Sequence, residues 1–302
     1  MPAPVTALPD VLVLGVGGTL GEAWLRGLLS GLESASGLDF RECEYFVGSS
    51  AGSIVAATLA AGRRPQAGDR AGRAWAAAAP EPDAAPGVLG RAARGAGRLG
   101  VAAARPFAPI ALSGAAPAGR AVRAAALRAV PQATRSLGRL GSHLDSLGAR
   151  FDGRLRISAV DRASGRRVMF GAPGAPPAAV SRAVLASCAV PGVFAPVRIG
   201  DRDYVDGGVW SPTNLDAAPA GRGSSVLCLV PTALEGGIAP LRAFSLAAVA
   251  AETLALRARG AEVRTLAPDD ASAAVMGRNL MHPGRSEEVL DAAFAQGRAL
   301  AG

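Results

Sequence analysis

The chain has 302 residues, enough for one large domain or two small ones, and enough to bury a core without a disulfide or metal staple. Half of the residues are hydrophobic and 19% are charged, which excludes a disordered chain, and no run of about eighteen consecutive apolar residues announces a transmembrane helix. The net charge of +8 is carried by arginine alone, since lysine is absent and all 32 cations are Arg; between Gly62 and Arg150, 14 Arg face 4 acidic residues, whereas the remainder holds 18 Arg against 20 acids.

In chain order, Val11 to Gly15 (VLVLG) reads as a short buried strand closing on glycines. Leu20, Trp24, Leu28 and Leu32 then recur every four residues, which predicts a helix with one apolar stripe ending near Gly37. Glu44 to Gly48 is a second strand, and Ala51 to Ala61 an almost wholly apolar, hence buried, helix. From Gly62 to Arg150 the composition turns to Ala, Gly, Arg and Pro, with short helices expected between breaks at Pro106, Pro109, Pro117 and Pro131. Leu155 to Val160 and Arg167 to Phe170 flank an Ala-Ser-Gly turn and predict a hairpin, followed by a helix near Ala178 to Ser187. Val197 to Asp206 holds a second hairpin around Gly200, and Ser225 to Val230 a further buried strand. Helices at Phe244 to Arg259 and Ser286 to Leu300 bracket a strand at Glu262 to Leu266. Strands alternating with helices imply an α/β fold with a mainly parallel central sheet. Both ends of the chain belong to that sheet, so residues 1–302 are expected to form one domain, with core parts 10–62 and 155–302 and a basic, mostly helical insertion over about 63–150.

Gly48-Ser49-Ser50-Ala51-Gly52 is a G-x-S-x-G between a strand and a helix. Only a tight reversal flanked by small residues lifts a hydroxyl out of a sheet and sets it at a helix N-terminus, where negative charge is favoured. Ser50 is the serine with glycine on both sides at the required spacing. Gly15-Val16-Gly17-Gly18-Thr19-Leu20-Gly21 is a second strand-to-helix turn, whose backbone N–H groups suit an oxyanion or a phosphate. A dinucleotide fingerprint needs glycine where Leu20 stands, and no clear strand leads into Asp39, the candidate ribose acid. Asp206-Gly207-Gly208, after Tyr204-Val205, places an acid at a strand end without steric cover.

These three motifs, in this order, resemble the patatin-like phospholipase family, whose members carry a glycine-rich oxyanion loop, a G-x-S-x-G elbow and a D-G-G loop. The stretches ASCAVPGVFAPV and YVDGGVWSPTNLDAA also resemble the family's approach to its aspartate, and RNLMHPGRSEEVLDAAFAQG resembles the closing helix of bacterial members. The resemblance covers residues 10–62 and 155–302. It implies a three-layer α/β/α fold and a Ser50–Asp206 dyad, with Ser50 as nucleophile and Asp206 as base. It also implies an oxyanion hole from the N–H groups of Gly17 and Gly18, with Gly15, Gly21, Gly48, Gly52, Gly207 and Gly208 shaping the loops. The activity implied is hydrolysis of phospholipid or related lipid esters. Family members place a basic residue where this chain has Leu20, a departure that leaves the loop's backbone donors in place.

Two other readings stand beside this one. The order Ser50, Asp206, His282 matches an α/β-hydrolase triad, although the serine follows a single strand and helix and His282 sits in Met-His-Pro-Gly. A non-catalytic lipid or partner binder on the same fold is the other. Cys43, Cys188 and Cys228 lack C-x-x-C spacing, and two histidines do not build a zinc cage, so neither metal nor cofactor is expected and a reduced cytoplasm is the default. Cys188, Cys228 and Trp24 read as core, Trp210 as core or acyl-site lining, and His143 as solvated. Over Val88 to Arg105, Arg91, Arg94, Arg98 and Arg105 share one helical face opposite Leu89, Ala92, Ala96, Leu99 and Ala103. That pattern suits peripheral contact with an anionic membrane surface. Aromatic residues make up 4% of the chain and do not interleave with the arginines, so a nucleic-acid partner is not expected.

Overall fold

The computed structural model describes residues 4–65 and 117–301. Its strands are β1 (Val11–Leu14), β2 (Tyr45–Gly48), β3 (Leu155–Asp161), β4 (Arg167–Phe170), β5 (Val197–Ile199), β6 (Arg202–Asp206), β7 (Ser225–Leu229) and β8 (Glu262–Leu266). They form one sheet in the order β5-β6-β3-β2-β1-β7-β8, with β4 paired to β3. From β3 across to β8 every pairing is parallel, whereas β6 runs antiparallel to both β3 and β5, and β4 antiparallel to β3. Both expected hairpins, β3–β4 and β5–β6, are therefore present.

The described helices are α1 (Gly18–Ser36), α2 (Ala51–Ala60), α3 (Pro117–Ala129), α4 (Gly138–Leu147), α5 (Val180–Ser187), α6 (Ala239–Ala258), α7 (Asp270–Met276) and α8 (Ser286–Leu300). Successive strand residues face opposite sides of a sheet, and β1 shows the result. Leu12 and Leu14 enter a large core with residues of α1, α2, α4, α5 and α8, while Val11 and Val13 enter a second core with Val226, Cys228 and Leu256 of α6. Helices thus cover both faces of the sheet, in the three-layer arrangement. Trp24 is fully buried as expected, and its indole N–H donates to Gln296 Oε1 at 2.8 Å.

α1 and α8 approach so closely that glycine is obligatory along their contact. A Cβ on Gly27 would lie 2.3 Å from the Leu290 carbonyl oxygen, and one on Gly31 2.2 Å from that of Phe294. α1 ends where Gly37 turns to a left-handed φ of 73° and returns its N–H to the Glu33 carbonyl, a conformation that favours glycine.

Part of the region expected as an insertion is built into the same core. Leu137, Leu140 and Leu144 join the main cluster, and Leu127 packs on Val160, Val205 and Val209. Pro117 opens α3 instead of breaking a helix, because the first turn has no N–H partner to lose. His143 is half-buried on α4, not solvated as expected. The basic stretch Val88 to Arg105 lies outside the described residues.

α6 is long and apolar enough to cross a membrane by length and composition alone, which counting uninterrupted apolar runs did not reveal. It lies as an outer layer over the second core. Leu256 is inserted, and Glu252 Oε2 accepts hydrogen bonds from Thr213 Oγ1 at 2.7 Å and from the Leu215 N–H at 2.9 Å.

Candidate active site

β1 and β2 are adjacent and parallel, so the loops leaving their carboxyl ends lie side by side. The carboxyl end of a parallel sheet is the usual seat of a ligand site in open α/β folds. The elbow after β2 is pressed against β1. A Cβ on Gly52 would sit 2.0 Å from the Leu14 carbonyl oxygen, and one on Gly48 2.6 Å from Ser53 Cα. Both glycines are demanded by space, which is the physical content of the G-x-S-x-G spacing. Between them Ser50 takes φ 50° and ψ −120°, and Asn214 is the other non-glycine residue with positive φ among the described residues. A bulky-backbone conformation of this kind stores strain and persists where the surroundings over-determine it. Here the surroundings include Ser187, whose Oγ accepts the Ser50 N–H at 2.8 Å. The Ser50 side chain does not cap α2, so its hydroxyl remains available.

Asp206 reaches the same level from the other direction. Gly48 pairs with Ile157 on β3, so two residues on, Ser50 is level with Ala159, and Ala159 pairs with Asp206 on antiparallel β6. The Ser50 side chain lies near enough to the Asp206 carboxylate to oppose the rise of its pKa. The Gly208 N–H donates to Asp206 Oδ1 at 2.7 Å, and the Asp206 N–H is tied to the Ala189 carbonyl at 3.0 Å. The residue is 3% exposed. Burial pushes its carboxyl up to about 7, against the opposing pull of Ser50 and Gly208. Gly207 is required by close approach, since a Cβ there would lie 2.0 Å from Ser158 Oγ.

The glycine loop after β1 lies next to the elbow. Its outer amides are occupied: Gly15 donates to Leu229 O at 3.0 Å, Val16 to Pro212 O at 2.8 Å, Leu20 to Leu280 O at 2.9 Å and Gly21 to Gly17 O at 2.8 Å. Those of Gly17 and Gly18 have no acceptor among the described residues. Gly18 has φ 59°, and a Cβ on Gly17 would lie 2.6 Å from Gly21 Cα and 2.7 Å from Pro231 Cβ. Leu20, at the position where family members carry a basic residue, is fully buried in the main core. The site therefore offers a hydroxyl beside a carboxyl that titrates near neutrality, with the amides of Gly17 and Gly18 close by. Such a set can move a proton off a nucleophile and hold developing negative charge.

His282 stands apart from this set. His282 is exposed, spends Nδ1 on the Gly284 N–H at 3.2 Å, and makes no hydrogen bond to Ser50 or Asp206 among the described residues. Trp210 is half-buried, with the Arg123 and Arg167 guanidinium groups 4.3 and 5.1 Å from its ring centroid. Cys188 and Cys228 are buried, and burial raises both thiols far above their ordinary range, so neither is activated. No group of three or more His, Cys, Asp or Glu side chains converges as a metal site among the described residues.

Ser187, Ser49, Ser158 and Asn214 surround Ser50 and Asp206 and were not singled out in the sequence. For Asn214 a local signal exists: Ser-Pro-Thr-Asn is turn chemistry, and asparagine tolerates the left-handed region that the residue occupies, with φ 53°.

A family model of patatin-like phospholipases matches residues 12–219. A comparison with curated proteins finds no match. Among solved structures, that of VipD from Legionella pneumophila is 13% identical with a TM-score of 0.45, covering 98% of this chain and 67% of VipD. The type III effector protein ExoU is 16% identical with a TM-score of 0.33, covering 98% of this chain and 54% of ExoU. The chain thus spans about half the length of the second relative. Because the family model takes in the glycine loop, the elbow and the D-G-G turn and extends over well more than half of the sequence, the chain belongs to the patatin-like phospholipase family.

Proposed function

We propose that the protein is a serine acyl hydrolase that cleaves ester bonds of phospholipids or related lipids through a Ser50–Asp206 dyad. Membership of the family implies lipid acyl hydrolysis. The finer reading rests chiefly on one observation: the uncapped Ser50 hydroxyl neighbours a buried carboxyl whose affinity for protons is poised near neutral pH. A general base works best when its pKa lies near the operating pH.

In this scheme the Asp206 carboxylate takes the Ser50 proton as Oγ attacks the ester carbonyl carbon. The carbonyl π electrons move onto oxygen, and the Gly17 and Gly18 N–H groups donate to that oxyanion. Collapse breaks the bond to the alcohol, which leaves with the proton held by Asp206, and Ser50 keeps the acyl group. Water then gives a proton to Asp206 as its oxygen attacks the acyl-enzyme, the fatty acid departs, and the proton returns to Ser50. No histidine takes part.

Peripheral contact with an anionic lipid surface through the basic region between Gly62 and Arg150 belongs to the same proposal, as does a cytoplasmic setting. The supporting observation is the concentration there of 14 Arg against 4 acidic residues. The test of the activity is lipolysis on phospholipid vesicles and on a short-chain ester. Ser50→Ala is expected to abolish both with the fold retained, and activity at the wild-type level in that variant would overturn the proposal.

A further inference from the structure

Asn214 is fully buried in the turn that follows the D-G-G loop, and its side chain touches three separate parts of the chain. Nδ2 lies 3.0 Å from Ser49 Oγ, 3.3 Å from Ser158 Oγ, 3.3 Å from the Gly207 carbonyl oxygen and 2.9 Å from that of Ser211. Two of these acceptors are carbonyls, which only accept, so the nitrogen must face them. The other end agrees: Arg167 Nη1 donates to Oδ1 at 3.3 Å. The amide orientation is thus determined from both sides.

The placement of the partners gives the contact its meaning. Ser49 immediately precedes Ser50, and Gly207 immediately follows Asp206. Their strands, β2 and β6, are not neighbours, because β3 runs between them. Ser158 belongs to that middle strand, and its Oγ lies 2.7 Å from Ser49 Oγ. The sheet alone therefore leaves the two halves of the dyad two strand spacings apart, on segments of opposite direction. The asparagine amide links all three strands at the level of the reacting groups. Its own position is held by the Ser211 hydroxyl, which accepts the Asn214 N–H at 3.0 Å, and by Glu252, which binds the Thr213 hydroxyl and the Leu215 N–H on either side.

We infer that Asn214 is a positioning residue: its side-chain amide braces the Ser49 and Gly207 ends of the site and so sets the separation of Ser50 and Asp206. The inference rests on the dyad reading of the preceding section. Misplacement of reacting groups by about 1 Å costs on the order of 10²-fold in rate, so the brace acts on turnover more than on substrate binding.

The alternative role for Asn214 is to occupy a left-handed turn, and glycine separates the two, since it adopts φ 53° without strain but has no amide. Asn214→Gly and Ser49→Ala would be assayed for kcat and KM on a soluble ester beside Ser50→Ala, with folding checked by circular dichroism and thermal melting. The expected result is a loss of about 10- to 100-fold in kcat for Asn214→Gly and of several-fold for Ser49→Ala, with KM within about threefold of wild type. Asn214→Asp keeps the shape but replaces both donors with an acceptor facing two carbonyls, and is expected to fall at least as far as Asn214→Gly. Folded Asn214→Gly with wild-type kcat would overturn the brace, provided Ser50→Ala is inactive. If Asn214→Gly does not fold, wild-type kcat in Ser49→Ala overturns it instead. Activity retained in Ser50→Ala would instead remove the dyad reading, and the brace with it.

Discussion

Burial holds the Asp206 carboxyl near pH 7, far above its ordinary value of 3.8. Between those two pH values the unfolded chain has released a proton that the folded chain keeps. The favourable contribution of this group is complete below 3.8 and is lost as pH rises through about 7. Asp206→Asn keeps the acceptor for the Gly208 N–H while removing the buried charge. Its melting temperature is therefore expected to exceed that of wild type at pH 8 and to converge with it only as pH falls below about 4, by thermal denaturation across that range. The same carboxyl must be ionised to act as base. Turnover of wild type is expected to rise with pH along a single acid limb to a plateau above about 7. A flat profile from about pH 5 to 9 would remove Asp206 from the base role.

At the scale of elements, glycines set two very different close approaches. Gly52 presses the elbow onto β1, so Gly52→Ala is expected to displace Ser50 and to suppress kcat in protein that remains folded at low temperature. Gly31 lets α1 meet α8, away from the elbow, and a Cβ there would lie 2.2 Å from a carbonyl oxygen. Gly31→Ala is expected to destabilise by about 1–3 kcal/mol, seen as a lower denaturant midpoint, with turnover per folded molecule unchanged. Most elements were legible because their signals are local. The strand at Glu262–Leu266 and the helix ending at Ser187 follow from runs and periods within a few residues. Pro117 misled because proline breaks a helix interior but starts a first turn, and the period alone does not say which.

Across the whole molecule, the three motifs were legible as a set because each keeps its own glycines in close contact with backbone. The brace around them was not, since Asn214 is 165 residues from Ser49 and 56 from Ser158, and their meeting depends on β3 lying between β2 and β6. The burial that shifts Asp206 is likewise a property of the assembled layers, not of Asp-Gly-Gly. Charge distribution is legible from the sequence directly, and it makes a prediction at this scale. If the basic region meets lipid, binding to anionic vesicles weakens steeply between low and physiological salt, while hydrolysis of a soluble ester changes little. Vesicle sedimentation at increasing salt checks it, and salt-independent binding would assign the contact to apolar surface such as the exposed Leu246 and Leu254 on α6.

Identification of the atom that carries the acyl group is the most direct measurement of the central claim. Purified protein treated with a fluorophosphonate ester, digested and analysed by mass spectrometry, is expected to carry one stoichiometric adduct, on Ser50. Labelling should slow by orders of magnitude in Asp206→Asn and be unaffected in His282→Ala. Lipid ester hydrolysis that persists in protein fully labelled on Ser50, inactivation by the probe without an adduct on Ser50, or an adduct whose formation depends on His282 and not on Asp206, would contradict the Ser50–Asp206 dyad.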